Sequence, residues 1–146
     1  MSKVRALVDS IYPNGFKSLE EVSTWMGRVY DKLFLVEEWH EVGDTNEPAF
    51  ENSWVNFEGG YSTAAFYKDP YGRVHLRGMI KSGTVGAASA FTLPESYRPP
   101  HRLLFGTISN GGVGRVDILT SGGVRPLTPS NNTWVTLDGI SFRADQ

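Results

Sequence analysis

The sequence predicts a mainly β chain: an antiparallel β-sandwich of jelly-roll type preceded by a short N-terminal α-helical segment. Three observations carry this expectation. Sixteen Gly, eight Pro and 12% aromatic residues favour β structure rich in turns. Apolar residues recur at helical spacing before about residue 45 and at strand spacing after it, so the period changes once. No long helical pattern separates the later runs, which argues for antiparallel rather than parallel pairing. With 146 residues the chain has the length of one domain. Such a domain buries roughly 68% of the surface that its unfolded form exposes.

The elements follow in order. Val4, Leu7, Val8 and Ile11 suggest a short first helix, ended by the turn signal Tyr12-Pro13-Asn14-Gly15. Ser18-Leu19-Glu20-Glu21 has the form of a capping box. Leu19, Val22, Trp25, Met26, Val29, Tyr30 and Leu33 then fall on one stripe of a helix reaching about Phe34. That stripe needs a partner, which the β domain, symmetry mates or a larger assembly would supply. Residues 1–41 are read as the helical segment, 42–48 as a connector and 49–146 as the β-sandwich. Within the last, strand-like runs cover 50–57, 61–68, 73–81, 88–92, 103–109, 114–119, 133–137 and 140–143. The run 73–81 alternates, with Val74, Leu76 and Ile80 on one face and His75, Arg77, Met79 and Lys81 on the other. Asp69-Pro70-Tyr71-Gly72 and Asn110-Gly111-Gly112 read as hairpin connections, and Ser121-Gly122-Gly123 as a further turn.

Composition excludes several functions. A net charge of -2 lacks the basic excess of a protein that binds nucleic acid through phosphates. There is no cysteine, hence no disulfide, thiolate metal site or cysteine nucleophile. No stretch approaches the roughly 18 apolar residues of a membrane span, so no membrane insertion is expected.

Catalytic patterns are equally sparse. His40, His75 and His101 stand apart, without the clustered spacing of metal ligands. Asn110-Gly111-Gly112-Val113-Gly114 follows neither dinucleotide nor Walker spacing, and no Gly-x-Ser-x-Gly elbow occurs. Glu37, Glu38 and Glu41 form a charged run near Trp39 rather than two carboxyls set across a cleft. An enzyme is therefore not expected, nor any cofactor. Aromatics are the remaining resource. Trp54, Phe57, Tyr61, Phe66, Tyr67 and Tyr71 lie close together, and strand alternation must turn some of them outward. Tyr61, Tyr67 and Tyr71 are the candidates for stacking on sugar rings.

Four ordered segments are familiar. Glu58-Gly59-Gly60-Tyr61 leads to Tyr67-Lys68-Asp69-Pro70-Tyr71-Gly72-Arg73-Val74-His75-Leu76-Arg77-Gly78. Phe91-Thr92-Leu93-Pro94-Glu95-Ser96-Tyr97-Arg98-Pro99-Pro100 has the form Phe-x-Leu-Pro-x-x-Tyr-Arg-Pro. Gly114–Ile118 and Trp134–Phe142 close the series. Over about residues 50–143 this order resembles a β domain common in bacteriophage minor tail and tail-fibre proteins. The resemblance implies a homotrimeric β-sandwich located on a virion, made in the host cytoplasm, with the β domain facing the host surface. Its implied partners are further copies of itself, other tail or capsid proteins, and host-surface carbohydrate. In that setting the Leu19–Leu33 stripe becomes a docking element for the particle. Leu93, Pro94, Tyr97, Arg98 and Pro99 become candidates for the trimer interface. No collagen-like or coiled-coil stalk pattern precedes the β domain, so a capsid decoration protein is the alternative. A small carbohydrate-active enzyme is a second one, with Glu38, Glu41 or Glu58 as its carboxylate.

Overall fold

The computed structural model describes Gly15 and residues 18–144. The chain divides into two compact units, Met1–Val36 and Glu37–Gln146. The expected first helix lies outside the described residues.

In the first unit, α1 spans Leu19–Phe34. Ser18 is extended, and its Oγ accepts a hydrogen bond from the Glu21 amide at 3.2 Å, the serine half of a capping box. Glu20 and Glu21 in the first turn and Lys32 in the last suit the helix dipole. None of its side chains is buried; Leu19 is 87% and Tyr30 63% exposed.

The second unit is mainly β. Its strands are β1 His40–Glu41, β2 Val55–Asn56, β3 Ala65–Lys68, β4 Arg73–Arg77, β5 Met79–Lys81 and β6 Phe91–Thr92. After a 3-10 turn at Glu95–Tyr97 come β7 Leu103–Ser109, β8 Gly112–Ile118, β9 Gly123–Leu127, β10 Val135–Thr136 and β11 Ser141–Arg143. A four-stranded sheet runs β1-β3-β4-β11 and a seven-stranded sheet β2-β5-β10-β7-β8-β9-β6, with every pairing antiparallel. Phe66, Val74, Leu76 and Phe142 from the first meet Ile80, Phe91, Val116, Ile118, Val124 and Val135 from the second in one buried core. The sandwich fold expected from the sequence is therefore present.

Three differences from the sequence reading have clear physical causes. The 73–81 run is two strands in different sheets, because the backbone turns at Gly78, where φ is 113°. Inward and outward residues keep their alternation across the turn, which is why the run looks continuous. The 50–57 run is strand only at Val55–Asn56, since Asn52 and Ser53 take left-handed φ values of 51° and 66°. β9 carries Pro126, which masks it as a strand. The Pro126 carbonyl accepts from Gly86 N, so its missing amide faces a stretch where β6 no longer pairs.

The division between units falls at Val36–Glu37, ahead of the 1–41 segment boundary and the 42–48 connector read from the sequence. Residues 37–48 belong to the β unit: β1 pairs with β3, and Val42 is a core residue whose amide donates to Ala64 O. The Asn110-Gly111 hairpin behaves as expected. Both residues have positive φ, 47° and 77°, giving the type I′ geometry that suits twisted strands.

Gly78 is the most constrained position. A Cβ there would lie 2.5 Å from Ala64 Cα, in a backbone conformation that L side chains rarely adopt. Gly78→Ala should therefore destabilise the β unit by about 2–4 kcal/mol, combining overpacking and backbone strain. Urea unfolding checks this; a change under 0.5 kcal/mol would contradict the account.

Candidate functional site

Alternation along the four-stranded sheet sends Phe66, Leu76, Val74 and Phe142 inward. Tyr67, His75, Arg77 and Ser141 occupy the other face, with Tyr67 opposite His75 and His75 opposite Ser141. Trp39, just ahead of β1, joins them.

These residues form a continuous ladder. Glu41 pairs with Arg77, and Thr63 Oγ1 donates to the second Glu41 oxygen at 2.5 Å. The Arg77 guanidinium lies 4.4 Å from the centre of the Trp39 ring, a cation–π contact. Trp39 meets Tyr67 edge to face at 4.6 Å, and Tyr67 stacks on His75 at 4.8 Å with 13° between the rings. His75 Nε2 lies 2.8 Å from Asp69 Oδ2. The other Asp69 oxygen accepts from the Tyr71 and Arg73 amides at 2.9 and 3.0 Å, which shapes the hairpin between β3 and β4. Burial would raise the Asp69 carboxyl, but the His75 bond and the two amides outweigh it and hold it below the ordinary carboxylate range. The ladder thus joins aromatic surface to polar groups fixed by their neighbours.

Of the three candidate tyrosines, Tyr67 is inside this ladder and Tyr71 stands at the hairpin tip, 78% exposed. Tyr61 lies apart from them, packed edge to face on Phe57. His75 faces outward as the alternation of 73–81 predicts, but neither it nor Trp39 stands among the stacking candidates. Trp39 sits in a charged run, and His75 becomes informative only beside Tyr67 and Asp69 across the hairpin.

The Phe-x-Leu-Pro-x-x-Tyr-Arg-Pro segment is held within its own chain. Leu93 and Pro99 are buried, and Arg98 Nε donates to Leu93 O at 2.9 Å. Tyr97 OH donates to Glu37 Oε2 at 3.1 Å and lies at the same distance from His40 Nε2, whose Nδ1 is 2.8 Å from Glu47. Burial and the Glu37 and Glu47 charges push the Tyr97 phenol well above its usual range. Pro94 is half-buried at the start of the 3-10 turn. Leu93 and Pro99 therefore present little surface to another subunit, and Tyr97 and Arg98 are already engaged.

Exposed apolar area gathers instead on the outer face of the seven-stranded sheet. Leu104, Ile108 and Val113 are 60%, 57% and 73% exposed, with exposed Gly106 between the first two. On that face Asp117 is fully buried beneath Arg102 and Arg115, which reach its oxygens at 2.6–2.9 Å. Burial would raise the Asp117 carboxyl; the two guanidinium groups reverse the sign and lower it.

The carboxylates considered for hydrolysis do not converge. Glu41 is tied to Arg77, Glu58 sits in a left-handed turn with φ of 68°, and Glu38 is exposed. Among the described residues there is no cluster of three or more metal-ligating side chains, and no helix is long and apolar enough to cross a membrane.

The fold has a counterpart among solved structures. The chain is similar to the receptor binding protein (gp15) of Listeria phage PSA. The two superpose with a TM-score of 0.64 over 95% of this chain and 87% of that one, at 15% sequence identity, so the likeness is one of fold. No family model and no curated protein matches the sequence.

Asp69 and Asp117 have depressed native pKa values, so their ionised forms favour the folded state. That contribution is complete above the unfolded value of about 3.9 and is lost as pH falls through the lower native values. Wild-type stability should fall on acidification below about pH 4. An Asp69→Asn, Asp117→Asn double variant should lose much of that dependence while being less stable at neutral pH. Thermal midpoints against pH decide this, and an unchanged acid slope would sink it.

Proposed function

We propose that this chain is a structural protein of a bacteriophage tail or fibre, with a β unit that contacts the host surface. The observation that carries the proposal is the fold likeness to a phage receptor binding protein, spanning nearly all of both chains. The four ordered sequence segments point the same way. The ladder supplies a contact surface of the right chemistry: half-buried rings and fixed polar groups lose little conformational entropy on binding. In this reading α1 anchors the chain to the particle through its exposed stripe, and the protein belongs to the virion.

The reading includes a homotrimer, and its subunit contact moves to the outer face of β7 and β8. Antiparallel sheets usually turn polar residues to water. Here the central strand of the larger sheet carries Leu104 and Ile108, Val113 stands opposite Ile108, and nothing lies within 4 Å of where a Gly106 Cβ would be. An exposed apolar patch at the middle of a sheet suits packing of copies around a shared axis. Light scattering on the purified chain should give three times the monomer mass, and Ile108→Asp with Val113→Asp should give the monomer. A wild-type monomer would end the trimer reading.

Host contact is tested by adsorption of labelled protein to cells of the bacterium that the phage infects. Tyr67→Ala and Trp39→Ala should each reduce adsorption at least about tenfold, the scale of one lost aromatic anchor. Circular dichroism and melting measurements establish that the variants fold. Absence of wild-type adsorption would refute the host-contact role.

A further inference from the structure

We propose that a second surface, a cleft bounded by Ser53, Ser82–Val85 and Ser130–Asn132, binds a neutral sugar. The inference rests on the host-contact reading and deepens it. The cleft is open to solvent and has a volume of about 540 Å³. It is lined by hydroxyl, amide and backbone groups, with Val85 as the largest apolar contributor and no charged side chain.

Its three walls are tied together. Ser82 N donates to Asn132 O at 2.8 Å, Asn132 Nδ2 to Gly83 O at 3.2 Å, and Thr84 N to Asn52 O at 3.1 Å. Beneath them Trp54 is only 1% exposed, and its Nε1 donates to Thr84 O at 3.2 Å. The indole lies so close to Gly83 that any Cβ there would collide with it. Ser130 Oγ both accepts from Arg115 N and donates to Arg115 O at 2.8 Å, fixing the third wall to β8. Ser53 and Ser82 are held at left-handed φ values of 66° and 70°, a cost that the cross-ties sustain. The walls are thus set before any ligand arrives, which reduces the entropy lost on binding.

The unused groups define the ligand. The hydroxyls of Ser53, Ser82 and Thr84 make no hydrogen bond among the described residues. Asn131 Oδ1 accepts from Thr133 N at 2.7 Å, leaving its amide NH₂ as a donor, whereas Asn132 donates one N–H to Gly83 O and keeps a second N–H and its acceptor oxygen. An ion would find no counter-charge here. An apolar ligand would leave these polar groups unpaired. Ring hydroxyls, each able to donate and accept, match them, and Val85 offers a surface for a sugar C–H face.

The test titrates isotope-labelled full-length protein with glucose, galactose and N-acetylglucosamine and follows its amide resonances. At least one sugar should shift resonances of residues 53, 82–85 and 130–132. Ser82→Gly, which suits the left-handed backbone, combined with Thr84→Val should weaken that binding about tenfold at an unchanged thermal midpoint. Ser53→Gly provides an independent variant should the double variant fail to fold. Silence with all three sugars, shifts centred on Trp39 and Tyr67 instead, or undiminished binding by folded variants would each overturn the inference. Adsorption separates this from the wider reading: if cells bind wild type and cleft variants equally, the cleft role falls and host contact stands. If wild type itself does not adsorb, host contact falls, and the sugar titration still decides the cleft.

Discussion

At Gly78 one extended segment passes from the four-stranded sheet to the seven-stranded sheet, and the rest of the β unit depends on that passage. Its neighbour across the sheet does the same. β10 pairs with β5, β11 pairs with β4, and the two segments cross together at Gly78 and Asp138-Gly139. The crossing is hydrogen-bonded on both sides: Gly78 N donates to Asp138 Oδ1 at 2.8 Å, and Leu137 N donates to Gly78 O at 2.7 Å. Because alternation survives the turn, Val74, Leu76 and Ile80 all enter one core, although they sit in two sheets. A side chain at Gly78 would push against Ala64 and force the two layers apart. The closeness of the sandwich is therefore set by an absent Cβ as much as by the apolar residues it brings together.

That economy explains what the sequence shows plainly and what it hides. Features that depend on neighbours in the chain are legible: the Ser18 cap, the end of α1 at Phe34, the strand Leu103–Ser109 and the Asn110-Gly111 turn all follow from local chemistry. Features that depend on distant partners are not. Nothing local distinguishes a glycine inside a strand from one at which the strand changes sheets. Pro126 argues against a strand until the end of β6 is known. Trp39 reads as part of a charged run until Arg77, some forty residues later, is laid across its ring. The Tyr97 and Arg98 segment is the sharpest case. Its rigid prolines and apolar residues suggest a surface for another subunit, yet it is wound into its own core and bonded to Glu37, His40 and Leu93.

The two sheets turn different chemistry outward. On the smaller sheet every aromatic ring of the ladder touches a polar or charged neighbour, and both ends finish on a carboxylate, Glu41 and Asp69. The centre of the larger sheet has exposed aliphatic side chains beside a carboxylate fully covered by two arginines. The buried Asp117 contributes less net stability than its contacts alone suggest, because desolvation offsets part of the attraction. It does fix the planes of Arg102 and Arg115, so the edge of the apolar patch has a defined shape. Fixed polar groups among rings suit a wet ligand, whereas an exposed aliphatic centre with an oriented rim suits protein packing. The proposed division between host contact and self-association follows from that contrast.

The 15% identity to a similar fold sharpens the point. Two chains can share this architecture with so few residues in common because it asks only for alternation, a tight crossing and turns of the right hand. None of these demands specifies an outward side chain. Tyr71, Ile108, Ser82 and Thr84 do not build the core, and the sandwich would close around other residues at those positions. What distinguishes this protein from others of its fold must therefore lie in such outward residues and in the loops that aim them. The stiff core matters to function by holding those groups at fixed spacing. Under the proposed host-contact role, such a surface gains when its own contacts do not have to be ordered first.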